Sequence, residues 1–117
     1  MGGNRKMSAG TYNFTIEQGT TFSRVLTLQE NGSAMNLTGY SVASQMRSTH
    51  DSSSIVATFS GSVTNASSGQ LTLSLTNSQT SAIEEAIYVY DVEITSGAGA
   101  VTRILEGNVT VTPEVTR

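Results

Sequence analysis

The fold class predicted by the sequence is an all-β sandwich, and three features predict it. Apolar and polar residues alternate over short stretches, most cleanly at Leu71, Leu73 and Leu75 and at Tyr88, Tyr90, Val92 and Ile94. A strand turns successive side chains to opposite faces, so such stretches are half-buried strands. Clusters of Gly, Asn and Ser punctuate them roughly every 8–12 residues, the turn spacing of sandwiches and small barrels. Ser and Thr number 17 each, and Thr favours strands while Ser favours turns.

In chain order, residues 1–10 read as a flexible N-terminal arm or a non-native leader, with Met7 as an alternative start. Residues 11–117 read as a single β-sandwich domain. Tyr12, Phe14 and Ile16 mark the first strand, which Gln18-Gly19 breaks. Residues 21–29 make the second, with Phe22, Leu26 and Leu28 on one face. Arg24 shares that face, which places it near the strand's start or beside a carboxylate. Asn31-Gly32 is the strongest short hairpin signal, because it supplies the positive φ angles of a tight turn. After a bend at residues 36–39, Tyr40, Val42, Ser44 and Met46 form the third strand. Residues 48–54 are a polar loop. Ile55, Ala57 and Phe59 share one side of a short strand that bulges at Ser60-Gly61 and continues through Val63.

Leu71, Leu73 and Leu75 follow, and then the one helical signal. Thr76 or Asn77 caps it, and residues 78–86 give either about two turns or a single loose one, packed through Ala82, Ile83 and Ala86. Residues 87–94 are the longest alternating run and the expected central strand. Residues 96–100 turn it back, and residues 101–105 are its hairpin partner. Gly107 interrupts that partner, and Val109 and Val111 carry it on to Pro113. The total is about seven to eight strands and one short helical turn. The order of signals predicts an Ig-like antiparallel β-sandwich.

Bulk chemistry narrows the function. At 117 residues one domain is expected. The absence of Cys excludes disulfides and thiolate metal sites. A net charge of −3, with Arg5, Lys6, Arg24, Arg47, Arg103 and Arg117 scattered along the chain, argues against nucleic-acid binding. No apolar run approaches the ~18 residues of a membrane span, and the first residues hold no signal-peptide core. Charged residues are only 13% of the chain, against ~25% in ordinary domains, so the surface is polar but weakly charged.

No catalytic constellation stands out, and no cofactor or metal is implied. His50 and Asp51 lie in a serine-rich loop, and no second histidine exists to complete a zinc site. Asp91 and Glu93 share one strand face, whereas glycoside hydrolysis needs carboxyls opposed across a cleft. Arg103, across the expected hairpin, is a partner for Asp91 or Glu93, worth ~0.2–1 kcal/mol as a cross-strand pair. Five N-x-S/T triplets, at Asn13, Asn31, Asn36, Asn65 and Asn108, read as a consequence of Asn/Ser/Thr-rich composition. Tyr12, Tyr40, Tyr88 and Tyr90 read as core or core-edge residues rather than a sugar-binding platform.

A resemblance adds to this reading. It is carried by the order of Phe14-Thr-Ile-Glu-Gln-Gly19-Thr-Thr-Phe22, Asn36-Leu-Thr-Gly-Tyr40, Gly69-Gln-Leu-Thr-Leu-Ser-Leu-Thr76 with Gln79-Thr80, Tyr88-Val-Tyr-Asp91-Val-Glu-Ile, and Arg103-Ile-Leu-Glu-Gly107-Asn-Val-Thr-Val111 with Val115-Thr-Arg117. Over residues 12–117 the chain resembles small bacteriophage virion proteins, in particular the N-terminal domain of phage baseplate upper proteins and related tail and fibre-attachment domains. The resemblance implies a non-enzymatic structural subunit, made in the host bacterial cytoplasm and built into the virion. Its partners would be other phage virion proteins and further copies of itself in a symmetric array, with no nucleic acid and no membrane. Expected contact segments are the arm up to Tyr12, the 48–54 loop and the tail 112–117. Candidate interface residues are Tyr12, His50, Asp51, Asp91, Glu93, Arg103, Val115 and Arg117. Two alternatives are a capsid decoration protein and a carbohydrate-binding module using the 48–54 and 60–70 loops with the tyrosines.

Overall fold

The computed structural model describes residues 10–30 and 32–115. The arm before Gly10, Asn31 and the candidate Arg117 lie outside the described residues. The elements are β1 (Gly10–Thr11), β2 (Phe14–Glu17), β3 (Phe22–Thr27), β4 (Gln29–Glu30), β5 (Ser33–Ala34), β6 (Ser41–Arg47), β7 (Ala57–Asn65), β8 (Gln70–Leu75), α1 (Asn77–Ser81), β9 (Ala86–Thr95) and β10 (Val101–Thr112).

One hydrogen-bonded path, β1-β10-β9-β6-β7-β8-β3, runs through the molecule, and β2 follows β1 along β10. The path becomes a sandwich because β7 belongs to both layers. Residues 57–59 of β7 pair with β6, and residues 60–65 pair with β8. Gly61 stands at the crossover, where a Cβ would lie 2.7 Å from Val42 Cγ1. No bulge forms at the expected Ser60-Gly61, where the register with β8 is continuous and the strand instead changes layer. A register shift follows between Val63 and Asn65. The layers are therefore β2, β10, β9, β6 and the start of β7 on one side, and the end of β7, β8 and β3 on the other.

This is the immunoglobulin-like arrangement, and a second feature supports it. Tyr88, near the start of β9, donates its hydroxyl to the Glu84 carbonyl at 2.6 Å, the tyrosine corner of such sandwiches. Burial, with the Glu84 charge second, raises the Tyr88 pKa above its ordinary value.

Each ladder is antiparallel except those of β1 and β2, which run parallel to β10. The chain thus enters the sandwich alongside its own last strand. The close approach needs Gly107, because a Cβ there would collide with the Tyr12 carbonyl. Gly107 does not interrupt β10, which runs through it unbroken. The irregularity lies earlier, between Arg103 and Leu105.

The core lies between the layers. Ile16, Leu37, Met46, Leu71, Leu73, Val92, Ile94 and Val109 are fully buried, each contributing about 1.5–3 kcal/mol for a large aliphatic side chain. Phe14 on β2 stacks on Phe22 of β3 with centroids 5.1 Å apart, and meets Tyr90 edge-on at 4.8 Å. Arg24 closes the open side of the sandwich. Its guanidinium lies 5.5–5.9 Å from the ring centroids of Tyr12, Phe14 and Phe22 and donates to the Tyr12 hydroxyl at 2.6 Å. Arg24 thus sits at an aromatic mouth, where the Tyr12 hydroxyl rather than a carboxylate accepts its hydrogen bond.

Three local expectations shift. The helix is shorter than two turns. Thr76 Oγ1 accepts from Gln79 N–H while Gln79 Oε1 accepts from Thr76 N–H, a complete capping box. It packs through Thr80 and Ile83, whereas Ala82 and Ala86 are exposed. Tyr40 precedes its strand, which starts at Ser41, and is half-buried against the core. Ile55 also lies ahead of its strand and is exposed, because β7 begins at Ala57.

Candidate functional site

The strand expected to be central is central. β9 lies between β10 and β6, so the two faces of residues 87–94 part as the alternation predicts. Tyr88, Tyr90, Val92 and Ile94 are buried, while Val89, Asp91 and Glu93 turn to the outer side of the layer. Register then builds a face. Ala43, Glu93 and Arg103 form one row across β6, β9 and β10, and Gln45, Asp91 and Glu106 form the next. Arg47 stands beside Val89 and Asn108 in a third. A shallow groove of about 430 Å³ runs over these rows, with His50 at its margin.

The bulge in β10 sets the electrostatics. Ile104 is the extra residue, so Ile104 and Leu105 both lean toward the core while Arg103 and Glu106 both face out. Arg103 stands opposite Glu93 in register, yet its guanidinium lies 3.4 Å from Asp91 Oδ2 and 3.8 Å from Glu106 Oε1. Glu106 and Asp91 are direct cross-strand neighbours, a repulsive pair that the intervening cation offsets. Arg103 and Asp91 are 53% and 38% exposed, so solvent screens the pair to within about 1 kcal/mol. Arg47 is held by the Ser52 carbonyl and the Gln45 side chain, both at 2.9 Å. The first of these bonds fastens the 48–54 loop to the face and brings His50 to it.

Of the candidate interface residues, His50, Asp91, Glu93 and Arg103 therefore share one surface. Asp51 is exposed in the adjoining loop. Val115 lies elsewhere, 91% exposed beyond the end of β10. Tyr12 is a joint within the fold. Its N–H donates to the Glu106 carbonyl at 3.0 Å, its carbonyl accepts from the Tyr90 hydroxyl at 2.6 Å, and its own hydroxyl accepts from Arg24. Burial, reinforced by the nearby Tyr12 and opposed by Arg24, holds the Tyr90 pKa far above its ordinary value. Tyr88 and Tyr90 are core residues, and a sugar platform made from all four tyrosines is not formed. Of the expected contact segments, the arm is described only from Gly10, and Gly10 and Thr11 pair with β10 of the same chain.

Chemically, the face can present charge of both signs in a fixed register. Sequence reasoning missed Arg47, Gln45 and Glu106 as part of it. Arg47 and Gln45 belong to the polar phase of the Val42, Ser44, Met46 alternation, a signal that was legible. Glu106 reaches the face only through the bulge. Among the described residues there is no group of three or more His, Cys, Asp or Glu side chains that could hold a metal ion. Among them also, no helix is long and apolar enough to cross a membrane. The sequence matches no protein-family model, and no curated protein matches it.

Proposed function

We propose that this chain is a non-enzymatic structural subunit of a phage virion, in the baseplate, tail or fibre-attachment region, acting by protein–protein assembly. The observation that carries the reading is the outer face of β6, β9 and β10. Its charged groups are fixed by ladder register and by one another, on strands that are each paired on both sides. A rigid surface of alternating sign suits docking in one orientation, since charge pattern sets register and excludes wrong partners more than it sets affinity. The order of sequence segments by which the chain resembles phage virion domains points the same way. In a symmetric particle each copy repeats the contact, so modest contacts suffice. The partners are other virion proteins and further copies of the chain, joined in the host bacterial cytoplasm.

The test is gradient sedimentation of particles from lysed producing cells, with the chain followed by antibody. Co-sedimentation with particles supports the proposal, and recovery only in the soluble fraction overturns it. A glycan array on the same protein separates the other class: micromolar binding to one glycan favours a carbohydrate-binding module.

A further inference from the structure

We infer that the free edge of β3 is a self-association site, which pairs antiparallel with β3 of a second copy of this chain across a two-fold axis at Val25. In the immunoglobulin-like plan the layer containing β3 and β8 is bordered by a first strand on the far side of β3. Here β1 and β2 both lie on β10 instead, so among the described residues β3 ends its layer. The hairpin that follows does not cover the gap. Met35 N–H donates to the Leu28 carbonyl and Leu37 N–H to the Ala66 carbonyl, which returns the chain toward the β7–β8 turn.

The edge is regular. Leu28 N–H donates to the Gly69 carbonyl at 2.8 Å, continuing the β3–β8 register. Antiparallel ladders alternate, so Leu26, Arg24 and Phe22 also bond toward β8, and Ser23, Val25 and Thr27 turn their N–H and C=O groups outward. No register shift interrupts β3, and the strand contains neither Lys nor Pro, two usual guards of an exposed edge. Its one charge, Arg24, points inward, itself a device that guards edges, but the guanidinium is held by the Tyr12 hydroxyl and three aromatic rings of its own chain. The outward side chains are Ser23, Thr27 and Val25, the last 55% exposed.

A two-fold axis at Val25 sets Ser23 opposite the second copy's Thr27, and Val25 opposite its own equivalent. These are the residues with free backbone groups, so about six hydrogen bonds form with no charge in the outward row. Each copy contributes the same patch, the isologous contact that closes at two. The result is a sheet continuous from one β7 to the other. This inference rests on the assembly reading and names one of its contacts, whereas gradient sedimentation of particles tests that reading separately.

The experiment is sedimentation velocity on the full chain, with amide exchange on the same samples. The wild type should reach twice the 12.3 kDa of one chain, with exchange at Ser23, Val25 and Thr27 slowing as concentration rises. Val25→Pro removes the N–H at the axis, and Val25→Lys sets like charges across it. Both changes are tolerated on edge strands, so circular dichroism should be unchanged while the dimer is lost. A wild type that stays monomeric up to millimolar chain overturns the inference, as does a dimer that survives Val25→Lys. A dimer that survives Val25→Lys but needs residues 1–9 overturns it in favour of an arm exchange. If either variant unfolds, fast wild-type exchange at the three amides, independent of concentration, is the overturning result.

Discussion

Replacing Thr80 with valine should unfasten the corner that carries the chain from β2 in one layer to β3 in the other. Thr80 is 0% exposed. Its hydroxyl donates to the Thr20 carbonyl at 2.8 Å and accepts from Gly19 N–H at 3.0 Å. Gly19 sits at φ +85°, a backbone conformation that residues with a side chain rarely adopt. Valine fills nearly the same volume, and the loss is therefore polar. The Thr20 carbonyl is at the surface and rehydrates, at a net cost of about 0.5–1.5 kcal/mol for the bond. The part-buried Gly19 N–H is left without its acceptor, which costs a further ~1–3 kcal/mol. Together these give about 1.5–4.5 kcal/mol, or a fall in Tm of roughly 6–18 °C for a domain of this size. Thr80→Ser keeps the hydroxyl, loses one methyl group and should cost only about 1 kcal/mol. Urea and thermal unfolding followed by circular dichroism compare the two. Thr80→Val proving as stable as Thr80→Ser would refute the claim that this hydroxyl holds the corner.

Three further outcomes are expected. Tyr90 is protonated in the fold to higher pH than in the unfolded chain, where it ionises near 10.0; above that pH the unfolded state sheds a proton the native state keeps, so stability should fall as pH rises. Tyr90→Phe should flatten that fall while lowering stability at neutral pH by ~1–2 kcal/mol, read by urea unfolding at a series of pH values. Gly107→Ala should cost about 3 kcal/mol or more, because the colliding Tyr12 carbonyl is backbone and cannot rotate away; amide exchange should show β1 and β2 loosened from β10 first. Arg103→Ala should change stability by less than about 1 kcal/mol, since its ion pairs are exposed, and the change should shrink with added salt.

Much of the sandwich is legible in local alternation. Leu71, Leu73 and Leu75 fall on the buried face of β8, and Tyr88 through Ile94 fall in and out of the core as their period requires. The turn at residues 96–100 is closed by Ser96 and Ala100, and its hairpin forms. What stayed hidden is non-local. Nothing in Phe14–Glu17 says that this strand runs parallel to a partner nearly a hundred residues later. That choice also decides which edge of the other layer no described strand covers. Arg24 reads as a misplaced charge until Tyr12, Phe14 and Phe22 are brought around it. On the candidate face, Asp91, Glu93 and Arg103 are visible from strand phase alone. The partner of Arg103 is not, because Ile104 bulges and carries Glu106 to the same side. Ile55 fits the alternation of Ala57 and Phe59 but lies ahead of the strand and is exposed.

The central claim is that the rigid strand faces and edges of this chain serve assembly into a particle. Its most direct test is quantitative mass spectrometry of gradient-purified particles, counting this chain against the other virion proteins after a salt wash. The account predicts a fixed whole-number ratio to at least one other structural protein, unchanged between preparations. A chain that is absent, or present in variable traces that the wash removes, would contradict it.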